Sequence, residues 1–285
     1  MRQALVIVSL LSIVSTVLVA QGPKKQLIAH RGASGYRPEH TEASYRLAME
    51  MHADFVEPDL AVTKDNVLIC LHDDSLARTT NIAEVFPDRA KALANDLTIA
   101  EIKRLDAGKW YKPEFAGQKV VTFQEMIDIV RGHDGIGIYP ELKSPELYNS
   151  RGVDQVKLFV DIIKKNGLEK PDSLKKMPVI IQSFDETAIR RVAKELPTIP
   201  RVLLVERRGD VSDARLKEIK TFATGVAPER SLVAEHPEMV KQAHALGLTV
   251  TCWTFGPDPN EMSKWLYDYG IDALFTNNPD QFPRR

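Results

Sequence analysis

The sequence predicts an α/β chain: a TIM-like (β/α)8 barrel with an extra β-hairpin after its second strand. Three observations carry the prediction. Short apolar or alternating runs recur along the chain, helical patterns separate most of them, and one gap between runs is too short for a crossover. The runs are 27–30, 55–59, 67–72, 136–142, 179–184, 202–206, 225–228, 249–254 and 273–276, which is one more than an eight-stranded barrel needs. Seven residues separate Asp59 from Val67, whereas a parallel crossover takes about a dozen. Residues 61–66 therefore read as a hairpin reversal with Asp65-Asn66 at its turn. Run 67–72 then returns beside the second strand, and eight parallel strands remain.

Helix starts follow the runs in order. Thr41 is placed to cap a helix after the first strand. Thr98-x-x-Glu101 and Thr122-x-x-Glu125 are capping boxes, in which each side chain satisfies a backbone donor of the other. Pro237 opens a helix carrying Met239, Val240, Ala243 and Leu246, which Gly247 closes. Asp258-Pro259 sets a cap and a first-turn proline before Met262, Trp265 and Leu266. The stretch of ~50 residues from His72 to Thr122 is far longer than an ordinary loop and reads as a small insertion, about 74–121, capping the barrel mouth.

Residues 1–20 stand apart. Arg2 gives a basic start, 4–20 is almost wholly apolar, and Ala20-Gln21-Gly22 supplies a cleavage point, the form of a secretory signal. Leu18 occupies the position where a small residue is preferred, so an uncleaved anchor is the competing reading. The expectation is an exported chain, periplasmic or secreted, with a single catalytic domain over 21–285 and no stable membrane insertion after cleavage. Removing Arg2 takes the formal charge from −1 to −2, leaving no basic field for nucleic acid. An anionic ligand must be attracted locally. Two cysteines, Cys70 and Cys252, are too few for a disulfide framework, and both sit in apolar runs as expected buried thiols.

The polar residues with chemical capacity stand at the ends of these runs, where a barrel exposes its active site. Glu57 and Asp59 are two apart on one strand and share a face, and Glu141 ends another strand. Three carboxylates make a hard, oxygen-only site suited to Ca²⁺ or Mg²⁺. His30 and His72 can divide general base and general acid work. Arg31 offers a planar fork for phosphate oxygens, Gly32 a close backbone approach to a ligand, and Lys143 an ammonium on the face of Glu141. Gln182 and Trp253 end later strands and can line the pocket, and Glu39 lies in the first loop within reach of a substrate hydroxyl. Asn277 is expected near the first strand once the barrel closes. His40, His52, His133, His236 and His244 read as solvated or structural, with His40 alone held open because Pro38-Glu39-His40-Thr41 closes the first loop and opens a helix. The residues alone point to metal-assisted cleavage of a phosphate ester.

The combined segments resemble the glycerophosphodiester phosphodiesterase family. The matching residues are Ile28-Ala29-His30-Arg31-Gly32-Ala33-Ser34-Gly35-Tyr36, Pro38-Glu39-His40-Thr41, Glu57-x-Asp59, Thr63-Lys64-Asp65 and Leu71-His72-Asp73. Further on they are Phe86-Pro87-Asp88-Arg89, Ile138-Tyr139-Pro140-Glu141-Leu142-Lys143, Gln182-x-Phe184, Trp253-Thr254 and Gly270-Ile271-Asp272. His40 and the Phe-Pro-Asp-Arg stretch resemble the periplasmic bacterial branch, in keeping with the export signal. The resemblance implies hydrolysis of glycerophosphodiesters, such as glycerophosphocholine and glycerophosphoethanolamine, to glycerol 3-phosphate and an alcohol. It implies a divalent metal on Glu57, Asp59 and Glu141, Ca²⁺ favoured and Mg²⁺ second, with His30 and His72 as acid and base. Pro58 departs from the branch pattern and removes a backbone donor from the second strand. Two competing readings remain: a lipid-directed phospholipase D on the same fold, and a non-catalytic exported phosphodiester-binding protein.

Overall fold

The computed structural model describes residues 24–284. The expected signal segment lies outside the described residues. The strands are β1 Gln26–Ala29, β2 Phe55–Val56, β3 Asp59–Val62, β4 Leu68–Cys70, β5 Gly137–Ile138, β6 Glu141–Leu142, β7 Ile181–Ser183, β8 Arg201–Val205, β9 Gly225–Pro228, β10 Thr249–Phe255 and β11 Ala273–Thr276. Every pairing but one is parallel. The exception is the hairpin, where Leu60, Ala61 and Val62 face Cys70, Ile69 and Leu68 in antiparallel register. Asn66 takes φ +63 at its turn, a left-handed conformation that asparagine tolerates better than most residues.

Two barrel strands are each split in half by a proline. The second runs through β2 and β3 with Glu57-Pro58 between, and the third runs through β5 and β6 with Tyr139-Pro140 between. Neither proline has an N–H to donate, so the ladder lapses on that side. Each still accepts: Glu141 N donates to Pro58 O at 2.9 Å and Gln182 N donates to Pro140 O at 2.9 Å. The change in local hydrogen bonding expected at Pro58 is real, and Pro140 repeats it. With the halves joined, eight parallel runs close into a barrel. β11 lies against β1 in the register Gln26↔Ala273 to Ala29↔Thr276.

Side chains alternate across each strand, so the barrel separates two apolar layers. Inside, Ile28, Phe55, Tyr139, Val202, Leu204, Ala227, Ala273 and Phe275 pack together with Ile180 and Trp253 against them. The larger cluster fills the space between strands and surrounding helices, including Leu27, Val56, Ile138, Ile181, Leu203, Val226 and Leu274. Both expected capping boxes form, at Thr98 ahead of Ile99–Ile102 and at Thr122 ahead of Phe123–Arg131. Asp258 caps Pro259–Lys264, and Gly247 takes φ +70 two residues past Glu238–Ala245.

The insertion is a chain of short helical turns. It leans on the hairpin through Leu97 O, which accepts from Lys64 N at 2.8 Å, and through Asp65 Oδ1, which accepts from Ile99 N at 2.9 Å. It meets the first loop of the barrel mouth through Tyr111, whose hydroxyl donates to Gly35 O at 2.9 Å. Both cysteines are buried and unpaired. Among the described residues no helix is long and apolar enough to cross a membrane.

Candidate active site

The interior layer decides which residues reach the mouth. Counting two residues onward from the packed interior side chains leads from Ile28 to His30, from Phe55 to Glu57, from Tyr139 to Glu141, from Ile180 to Gln182 and from Phe275 to Asn277. A further step of two on the second, third and fourth strands gives Asp59, Lys143 and Phe184. Polar residues thus replace apolar ones on the same inward face as each strand leaves the core. His30, Arg31, Glu57, Asp59, His72, Glu141, Lys143, Gln182, Phe184, Leu204, Trp253, Thr254 and Phe275 line one cleft of about 130 Å³. Phe275 of this lining belongs to the aromatic barrel interior, where Tyr139 meets Phe55 edge-on at 5.7 Å and Phe275 at 5.3 Å.

Glu57, Asp59 and Glu141 each offer a carboxylate oxygen, and these oxygens lie within 4.8 Å of one another. All three residues are buried. Glu57 Oε2 accepts from Arg31 N at 2.7 Å, Asp59 Oδ2 is 3.0 Å from His40 Nε2 and 3.3 Å from Arg31 Nε, and Glu141 Oε1 pairs with Lys143 Nζ at 3.3 Å. Burial first, then the charge of Asp59, holds the Glu57 and Glu141 carboxyls well above the ordinary range. Burial opposes ionisation of Asp59 as well, but His40, Arg31 and Lys143 outweigh it and keep that carboxyl well below its usual value. Ionising all three buried acids against one guanidinium and one ammonium would leave negative charge unmatched. The Gln182 side-chain oxygen, also buried, has no hydrogen-bond partner. An all-oxygen donor set of this kind fits a hard divalent cation.

The histidines are anchored alike. His30 Nδ1 lies 2.7 Å from Asn277 Oδ1, and His72 Nδ1 lies 2.7 Å from Asp73 Oδ1. An acceptor at Nδ1 selects the Nδ1–H tautomer and leaves Nε2 as the lone-pair nitrogen. Loss of hydration, and then Arg31 beside it, brings His30 down to about 4, so its imidazole is neutral at neutral pH. Loss of hydration, with the charges of Arg31 and Lys143, also lowers His72, while the charge of Asp59 and the hydrogen bond to Asp73 oppose the fall.

Of the other expected site residues, Arg31 and Lys143 line the cleft, as do Gln182 and Trp253. Arg31 takes φ +58, and this turn aims its N–H at Glu57. Glu39 sits behind the cleft with its carboxylate on Arg31 Nη1 at 3.2 Å and on Arg78 at 2.7 Å. Gly32 has a reason in the fold itself: at φ +84, an added Cβ would lie 2.3 Å from Ser44 Oγ. Asn277 lies by the first strand as expected. Three contributors were not among the expected site residues. His40, expected to be solvated or structural, is buried and bridges Asp59 to Tyr45, whose hydroxyl is 2.9 Å from Nδ1. Phe184 stays exposed at the rim and meets Trp253 edge-on at 5.6 Å. Arg78, from the insertion, reaches Glu39 and Asp73 together. The first two had a signal in the strand and loop pattern; Arg78 had none.

A closed parallel barrel with acids, imidazoles and fixed cations gathered at the C-terminal ends of its strands is an enzyme scaffold equipped for phosphate-ester cleavage. Comparison with known proteins narrows the class. The sequence pattern of the Glycerophosphoryl diester phosphodiesterase family matches residues 30–281. A Glycerophosphodiester phosphodiesterase of Bacillus subtilis (strain 168) is 39% identical over 265 residues, which cover 90% of this chain and 84% of the relative. A Probable glycerophosphodiester phosphodiesterase 1 of Mycobacterium tuberculosis is 30% identical over 259 residues, 89% of each chain. Among solved structures, an Oleispira antarctica phosphodiesterase in complex with the product sn-glycerol-3-phosphate superposes with a TM-score of 0.76 at 28% identity, covering 90% of this chain and 94% of that one. The chain belongs to the glycerophosphoryl diester phosphodiesterase family and is an enzyme of that kind.

Proposed function

We propose that the protein hydrolyses glycerophosphodiesters to sn-glycerol 3-phosphate and an alcohol, using a divalent cation and the pair His30 and His72. One observation carries the reading. Three buried acids whose full ionisation the fixed cations cannot match and two imidazoles anchored through Nδ1 line the same cleft. The product held by the Oleispira antarctica relative supports the substrate class.

Glu57, Asp59 and Glu141 would hold the cation, with Ca²⁺ favoured over Mg²⁺. When bound, such an ion neutralises phosphate charge and stabilises the charge that grows in the transition state. Arg31 and Lys143 hold the other phosphate oxygens, the guanidinium by its fork and the ammonium as a point charge. Gln182 and Trp253 position the substrate from the later strands, and Glu39 keeps Arg31 turned toward the cleft. His30, neutral at working pH, accepts the proton of the attacking hydroxyl at Nε2. His72 delivers a proton to the departing alkoxide, and Asp73 stabilises the imidazolium that the step requires. The phosphorus–oxygen bond to the alcohol breaks as the new one forms. A water nucleophile gives glycerol 3-phosphate directly; the neighbouring glycerol hydroxyl would give a cyclic phosphate first.

The test is hydrolysis of glycerophosphocholine and glycerophosphoethanolamine followed by phosphorus NMR, in chelator and after Ca²⁺ or Mg²⁺ add-back. Glycerol 3-phosphate should form, stop with chelator and resume with metal. Turnover of intact lipid alone would favour the phospholipase D reading, and binding without product the non-catalytic one. We also place the protein outside the cytoplasm, in the periplasmic branch, on the strength of the apolar segment 4–20. Activity confined to the cytoplasmic fraction of producing cells would contradict that placement.

A further inference from the structure

We infer that Arg78 of the insertion is a positioning residue that fixes His72 and Arg31 relative to each other across the catalytic mouth. The inference rests on the reading just given, because it concerns how that reading's acid and phosphate ligand are aimed.

The guanidinium is shared between two carboxylates. Nε and Nη2 donate to Asp73 Oδ2 and Oδ1 at 2.6 and 2.9 Å, while Nη1 and Nη2 donate to Glu39 Oε2 and Oε1 at 2.8 and 2.7 Å. Each carboxylate then holds a residue of the cleft. Asp73 Oδ1 lies 2.7 Å from His72 Nδ1, and Glu39 Oε1 accepts from Arg31 Nη1 at 3.2 Å. The result is one chain of contacts, His72–Asp73–Arg78–Glu39–Arg31. Its ends come from different parts of the fold: Arg31 follows β1, and His72 follows β4, which pairs with β3 and not with β1. Both segments flank the split second strand, so register brings them to one rim but leaves the aim of their side chains unlinked. Arg78 supplies that link from a third segment.

Residue chemistry fits the task. Only arginine presents enough donors in a rigid plane to engage two carboxylates with two hydrogen bonds each, and a lysine in its place would lose the fork. The Trp110 ring lies 5.9 Å from Arg78 Cζ and helps hold the guanidinium plane. The Arg78 side chain is 41% exposed, and an ion pair so open to water adds little to global stability. Its value lies in orientation. Without it, Asp73 and Glu39 are free to turn toward solvent, and the two cleft residues lose their bearings together.

The experiment compares wild type, Arg78→Met and Arg78→Lys on glycerophosphocholine with metal present, alongside ¹⁵N NMR of the histidine rings. Arg78→Met should lower kcat by about 10- to 100-fold, the scale of a misaligned catalytic group, and raise KM severalfold as Arg31 is released. Melting temperature should stay nearly constant. The His72 ring should move from Nδ1–H toward the Nε2–H form that a free imidazole prefers, while His30, held by Asn277, should not change. Arg78→Lys should recover only part of the kcat loss. An unchanged His72 tautomer in Arg78→Met overturns the inference whatever the rates do. So does a shifted tautomer with kcat and KM at wild-type values. If wild type hydrolyses no glycerophosphodiester, the proposed function fails, and the NMR result alone still decides the role of Arg78.

Discussion

His30 and His72 reach the same cleft from different strands, and each presents its ring through the same nitrogen, yet the partners differ. Neutral Asn277 anchors His30, and anionic Asp73 anchors His72. That difference favours a base at His30 and an imidazolium-forming acid at His72. Replacing either by alanine should lower kcat by about 10²- to 10⁴-fold with unchanged circular dichroism; near-native turnover in either variant would remove it from the mechanism. Glu39 gives a second prediction at this scale. Burial opposes its charge, but Arg78, His40 and Arg31 bring its carboxyl down to about 2 from 4.5. A depressed folded-state value stabilises above the unfolded value and loses that stabilisation as pH falls. Discounted for the water-exposed partner Arg78, Glu39 should contribute only about 1 kcal/mol near neutrality, lost between about pH 4.5 and 2. Urea unfolding across that range should show a shallower acid limb in Glu39→Gln; an unaltered limb would mean that Glu39 is not held as described.

At the scale of elements, the strand runs were legible because alternation and apolar content mark them directly, and 225–228 and 273–276 match to the residue. The runs 55–59 and 136–142 each read as one strand but form two. The reason is local: Pro58 and Pro140 interrupt donation without bending the face, so parity survives and Glu57, Asp59 and Glu141 still point inward. Helix starts were legible for the same kind of reason, since a capping box is a sequence feature acting within one turn. Thr122→Ala should remove the side-chain acceptor of Glu125 N and cost about 1 kcal/mol in chemical denaturation. A loss below a few tenths would mean that the box contributes nothing beyond the packing of Phe123, Met126, Ile127 and Val130.

At the scale of the whole molecule, eight runs spread along the chain had to close before any site existed. Four of the five central residues were legible because barrel geometry sends the ends of parallel strands to one rim, and His72 because the hairpin returns β4 beside Asp59. Asn277 became legible through closure, since the last strand must lie beside the first. His40 was marked by its place in the first loop, but its bridge to Asp59 was not legible, and Arg78 was not legible at all, for a common reason. Their roles depend on how a loop or an insertion folds back over the rim, and neither alternation nor spacing encodes that path. Gly32 shows that residue type alone does not give the reason for a glycine, since Ser44 fills the space a Cβ would take.

The central claim is that three buried acids drawn from two strands hold one divalent cation between the catalytic imidazoles. Calorimetric titration of Ca²⁺ into chelator-treated protein tests it most directly, with wild type and Glu141→Gln run side by side. The account predicts one ion bound per chain in wild type, with a rise in melting temperature as the ion accumulates, and a loss of both in Glu141→Gln. Equal binding by the two proteins, or none by either under conditions where wild type is active, would contradict it.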